Sequence, residues 1–303
     1  LMVKVAVLVY PFAIYLYLNP DFSTWLGVAY FVLVMLYLFA PVILMHHCSS
    51  HRPIFKREYA WIRHWIPWGI CSFFGLTPGT YYAHHIGMHH VEQNLEADRS
   101  STMRYQRDSF ADFLRYLGSF YVSGAPQLLG YLRQAKRRKL FRQVWVGELS
   151  YLAIAAGLMA FNWRATVVVL VLPFLFARLN LMMGNWTQHA FVDASDPGNP
   201  YRNSTTCINV PYNKMCFNDG YHIGHHVKPA RHWTEMPGDF EQNLDRYASE
   251  GAVVFDGIDY ITVFVLLMRK RYDRLAHHHA KLGPMTQEEL ISRLRARTRP
   301  IPS

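Results

Sequence analysis

The stretch TWLGVAYFVLVMLYLFAPVILMHHCSSH, residues 24–51, joins two unlike pieces of sequence. From 24 to 45 no residue carries a charge, and about 20 apolar residues suffice to cross the hydrocarbon of a bilayer. The run therefore predicts a membrane span. It ends on His47-Cys-Ser-Ser-His51, two imidazoles four residues apart, which share one face of a helix and can converge on one ion. A span that carries metal-ligating side chains at its end predicts an all-α integral membrane protein with a metal centre at the membrane surface.

Composition agrees. Of 303 residues, 51% are hydrophobic, 15% aromatic and only 17% charged, against about 25% charged in soluble domains. The net charge of +10 is clustered, at Lys136-Arg137-Arg138-Lys139 and Arg269-Lys270-Arg271. Basic clusters beside apolar runs face the cytoplasm and anionic lipid, so a nucleic-acid partner is not expected. Cys48, Cys71, Cys207 and Cys216 show no C-x-x-C spacing and are expected to be reduced and structural. Residues 1–18 lack a basic leader and a small-residue cleavage site, so a retained membrane segment is expected rather than a signal peptide.

Working outward from the first run, about four transmembrane helices in two hairpins emerge, at 3–18, 24–45, 144–162 and 166–184. Asn19-Pro20-Asp21 and Asn162-Trp-Arg-Ala165 make the turns. The uncharged stretch 65–82 is broken by Pro67, Gly69, Gly75, Pro78 and Gly79. A single crossing there would put His51 and His85 on opposite sides of the bilayer, so a re-entrant or interfacial element is expected. Residues 110–131 mix Phe, Leu and Tyr with Asp112 and Arg115, as an amphipathic interfacial helix does. Residues 46–142 and 185–275 form a histidine-rich cytosolic cap, with an interfacial apolar stretch at 253–268. Residues 276–303 form a peripheral tail, where Thr286-Gln-Glu-Glu289 predicts a helix capping box. The whole is one domain, 1–303.

Three more motifs follow His47 and His51. His85-Ile-Gly-Met-His89-His90 repeats the four-residue spacing with an added neighbour. His222-Ile-Gly-His225-His226 offers the three- and four-residue spacings, after a candidate helix start at Asn218-Asp219-Gly220. His189 stands in Asn185-Trp-Thr-Gln-His189, where the last span emerges, with Asn185 one turn earlier and able to hold a water at the metal. Neutral imidazole suits iron and tolerates a change of redox state. A structural zinc site would need only four ligands and favours cysteine. His46, His64, His84, His232, His277, His278 and His279 fall outside the pattern: His46, His84 and Asp219 are candidates for orienting the ligands, and the triplet 277–279 is expected on a solvated helix face.

In the order H-x-x-x-H, H-x-x-x-H-H, N-x-x-x-H, H-x-x-H-H, over roughly residues 24–235, the chain resembles the integral-membrane fatty acid desaturase and hydroxylase superfamily. The resemblance implies four membrane helices under a cytosolic cap that holds two irons. It makes His47, His51, His85, His89, His90, His189, His222, His225 and His226 the ligands, with Asn185 acting through water. Many acyl desaturases have H-x-x-H-H as the second box; the longer spacing here resembles membrane alkane hydroxylases.

The activity implied is O2-dependent oxidation of a long-chain acyl or alkyl lipid that enters from the bilayer. Desaturation is the leading outcome. Fatty acid or alkane hydroxylation, and oxidative decarboxylation to a terminal alkene, are the alternatives, and a membrane zinc hydrolase is a remote one. No C-x-x-C pair or G-x-G-x-x-G is present, so electrons are expected from an external ferredoxin, rubredoxin or cytochrome. Arg52, Lys56, Arg57, Lys228 and Arg231 are candidates for contact with that donor or with a substrate head group, and equally for contact with the membrane surface.

Overall fold

In the computed structural model, which describes residues 1–302, three helices are long and apolar enough to cross a bilayer: Thr24–His51, Arg138–Phe161 and Trp163–Gln188. Met2–Leu18, expected as a fourth span, is a shorter apolar helix; at 1.5 Å per residue it rises about 26 Å, just under the ~30 Å of hydrocarbon. The architecture is that of an all-α membrane protein with one two-stranded sheet. The chain forms two compact units, one of Leu1–Gly87 with Leu128–Asn180, the other of Met88–Gln127 with the chain from Leu181 onward.

In the first unit the two hairpins are fastened at their turns. Asn162 alone breaks the second hairpin; its side-chain oxygen accepts the Ala165 N–H as a helix cap. Its Nδ2 donates to the Leu16 and Tyr17 carbonyls at 3.2 Å each, and Arg164 donates to Pro20 and Phe22. Four carbonyls left open where the first hairpin turns thus find donors on the second. The span Thr24–His51 runs on past its apolar part, and His47 and His51 occupy its last turns.

The stretch 65–82 is not a spanning helix. It is a π-turn at Ile66–Ile70 and a 3-10 turn at Cys71–Phe74, ended by Gly75 at φ 79°. This left-handed angle suits glycine, and a Cβ here would stand 2.1 Å from the Pro173 carbonyl oxygen. Gly147, on the helix Arg138–Phe161, is equally close to this stretch: its Cβ would lie 1.8 Å from the Pro78 carbonyl oxygen. Neither backbone can yield, so Gly147→Ala should cost at least the 1–3 kcal/mol typical of overpacking. Thermal unfolding in detergent measures this, and an unchanged midpoint would show that the contact is not tight.

In the second unit, strand Thr205–Ile208 pairs in parallel with Val253–Asp256. The apolar stretch 253–268 is therefore not one interfacial segment: its first residues are a buried strand and its last are helix Tyr260–Met268. β-branched Thr205, Thr206, Val253 and Val254 favour the strand. The strand then serves the third histidine box. Thr206 Oγ1 accepts the Ile223 N–H at 3.2 Å, and Tyr260 donates to the Thr205 and Gly220 carbonyls at 3.1 Å.

The segment from 276 is tied into this unit. The capping box is present, Thr286 with Glu289, and Leu294 is fully buried. The Arg107 guanidinium, 0% exposed, donates to the carbonyls of Ala190, Thr102, Met103, Tyr105, Arg297 and Arg299. His279 bridges Phe255 through the backbone and packs on its ring, so the triplet 277–279 is not a uniformly solvated face.

Candidate metal centre

The first unit gathers His47, His51 and His85. Their ring centroids lie 4.5–5.2 Å apart, and the Nε2 atoms of His51 and His85 are 3.0 Å apart. Tyr81, one turn before His85, stacks on its ring at 5.4 Å. His46, the buried candidate for orienting ligands, packs on Tyr81 at 5.1 Å and so reaches His85 through a neighbour. His84 is half-buried beside His85.

The second unit gathers His89, His189, His222 and His226, all buried, with their ligand atoms within 4.8 Å of one another. Nε2 of His222 lies 3.0 Å from that of His226 and 3.4 Å from that of His189. Two metal–nitrogen bonds of about 2.1 Å hold their nitrogens about 3.0 Å apart at a right angle and about 3.4 Å apart at the tetrahedral angle. Nε2 facing Nε2 at these spacings matches the edge of a coordination sphere. The group holds only imidazole, and neutral imidazoles hold a transition metal without cancelling its charge. Burial, joined by the neighbouring rings, pushes His226 well below the usual imidazole range. Burial, with His89 beside it, takes His189 down to about 4. Both rings are neutral at pH 7, the form that donates to a metal.

The boxes do not map one to one onto these groups. His47 and His51 fall together, as their spacing predicts, but His85 joins them while His89 joins the other group. The segment His85–His89 is wound as a π-turn, a local unwinding common at functional sites. His90 packs on His225 with the Nε2 atoms 2.9 Å apart. All nine predicted histidines thus lie ring to ring with others of the set.

Two orienting residues carried no sequence motif. Asp98 Oδ2 meets His89 Nδ1 at 2.8 Å, and His189 Nδ1 lies 3.0 and 3.1 Å from the backbone and side-chain oxygens of Asn203. Asp219 accepts from Tyr212 and from Gln188, the neighbour of His189, and burial raises its carboxyl to about 6. Asp219 does not start the third-box helix, which runs His222–Val227 after Tyr221. Asn185 donates its amide nitrogen to the Ser100 carbonyl and the Tyr116 hydroxyl, at 2.9 and 2.8 Å.

Among the candidate cations, Arg52, Lys56, Arg57 and Lys228 are exposed. Arg231 is not free for a partner: it pairs with Asp239 and donates to the Gly224 carbonyl inside the third box. His278, outside both groups, makes an exposed bond to the Asp256 carbonyl. His278→Ala should change stability by no more than about 0.5 kcal/mol and leave turnover intact; a dead variant would show that the histidines are wrongly sorted.

Comparison with known proteins adds one finding. The family model described as fatty acid desaturase matches residues 23–256. Neither a curated protein nor a solved structure matches the chain.

Proposed function

The chain belongs to the fatty acid desaturase family, and from that premise we propose that it uses O2 to desaturate a long-chain fatty acid or acyl lipid at a di-iron centre. The observation that supports this best is the Nε2-to-Nε2 spacing of buried imidazoles in the second unit. His47, His51 and His85 would hold one iron, and His89, His189, His222 and His226 the other, with His90 and His225 completing the ligand set. Iron bound there would activate O2, which, with two electrons from a donor, takes two hydrogens from an unactivated methylene pair and leaves as water.

The chain's own residues do the rest. Burial keeps the His189 and His226 rings neutral and lowers the local dielectric, which strengthens every electrostatic interaction there. Tyr116 and the Ser100 carbonyl occupy the amide nitrogen of Asn185 and leave its oxygen as the atom that would accept from a water held by the metal. Asp219 holds Gln188, and through it the end of the last span beside His189.

The basic clusters at 136–139 and 269–271 support a cytoplasmic site under the positive-inside rule. Exposed Arg52, Lys56 and Arg57 offer complementary charge to an acidic one-electron donor.

Mass spectrometry of products from purified, iron-loaded protein with reductant, O2 and a free fatty acid tests the reading. An alkene of unchanged carbon number is expected. A product heavier by one oxygen would establish hydroxylation, and one a carbon shorter would establish decarboxylation; either outcome overturns desaturation. Two tightly bound irons per chain would exclude a zinc hydrolase.

A further inference from the structure

One loop reaches two of the four rings in the second unit. Directly after His90–Glu92, Gln93 and Asn94 take φ of 48° and 62°, and the chain doubles back so that Asp98 returns to His89. Asn94 holds the return in place: its Oδ1 accepts the Thr102 N–H at 2.8 Å, and its Nδ2 donates to Asn203 Oδ1 at 3.2 Å. Asn203 is the residue at His189 Nδ1.

The two rings are nevertheless held by unlike groups. Asp98 is 2% exposed. Its carboxylate accepts the N–H groups of Asn94 and Ser100 at 3.2 and 2.8 Å, the Ser100 hydroxyl at 2.6 Å, and the His89 ring at 2.8 Å. The Asp98 oxygens act as acceptors at each of these contacts, so His89 Nδ1 is the donor and its Nε2 carries the lone pair. At its Nδ1, His189 meets the neutral oxygens of Asn203 instead.

We propose that Asp98 is a positioning residue that sets the reduction potential of the metal in the four-histidine group. Its negative charge, passed through His89, makes that imidazole the stronger donor and favours the more highly charged ferric state over the ferrous. This rests on reading the histidines as iron ligands.

The test uses the full chain loaded with iron in detergent, read by redox titration and by iron content, with a melting curve as the check on folding. Asp98→Asn keeps an oxygen for His89 but removes the charge. It should lower iron affinity 10–100-fold, the usual cost of losing such a partner. It should also shift the midpoint positive, by 59 mV for each tenfold greater loss of ferric than of ferrous affinity. Ser100→Ala acts in the opposite direction: with one donor fewer, the carboxylate leans harder on His89, and the midpoint should move negative.

Wild-type potential and affinity in Asp98→Asn, or shifts of the same sign in both variants, would overturn the proposal. Should Asp98→Asn not fold, Ser100→Ala decides alone, an unchanged or positive midpoint counting against. A wild-type chain that holds no iron sinks the metal reading, and this proposal with it; wild-type iron binding with unmoved variants sinks this proposal only.

Discussion

His189→Ala should lose bound iron and at least about 100-fold in turnover while the protein still inserts into membranes. The floor comes from outer partners of metal ligands, whose loss alone costs 10–100-fold; a ligand should cost more. His189 is fully buried at the end of the last apolar helix, packed between His89, His222 and His226. None of the apolar span is altered by the change, so insertion is unaffected. Iron per chain by elemental analysis of the membrane-purified variant is the measurement, and full retention would remove His189 from the ligand set.

Arg107→Ala should destabilise the second unit by about 3–5 kcal/mol, the scale for removing one partner of a buried charged network. The guanidinium spends its donors on six carbonyls from three separate parts of the chain. Burial lowers its pKa to about 10, so it is still charged at pH 7 and its carbonyl partners lose a full cation. Ala190 follows His189 directly, and the 102–105 turn follows the Asp98 loop, so iron retention should fall with stability. Denaturant unfolding in detergent checks the first claim; a loss under about 1 kcal/mol would show that the carbonyls find water instead.

The three long apolar helices and the gathering of the histidines were legible because both are local patterns. An uncharged run between 24 and 45 has few alternatives to a membrane helix, and four-residue spacing places His47 and His51 together whatever the surroundings. What orients the rings was not legible. Asp98 is nine residues from His89 and Asn203 is 14 from His189; each meets its ring through a reversal that no periodicity announces, apart from the left-handed Gln93 and Asn94. Arg231 looked like a free cation because its partner Asp239 stands eight residues on, within the short helix Met236–Gln242. The strand pair was hidden in the same way: Thr205–Ile208 has the β-branched residues of a strand, but its partner lies far along the chain. The division of box two between the groups needed the actual winding of the backbone.

That winding bears on how such boxes are compared between chains. A turn closed by i→i+5 bonds takes in one residue more than one closed by i→i+4 bonds. Between His85 and His89 the backbone is wound in the looser way, so four steps turn the second histidine through nearly the angle that three steps give in an α-helix. The additional residue is absorbed as slack in the coil. The residue count between two histidines therefore does not by itself give the angle between them; the helical pitch enters with it.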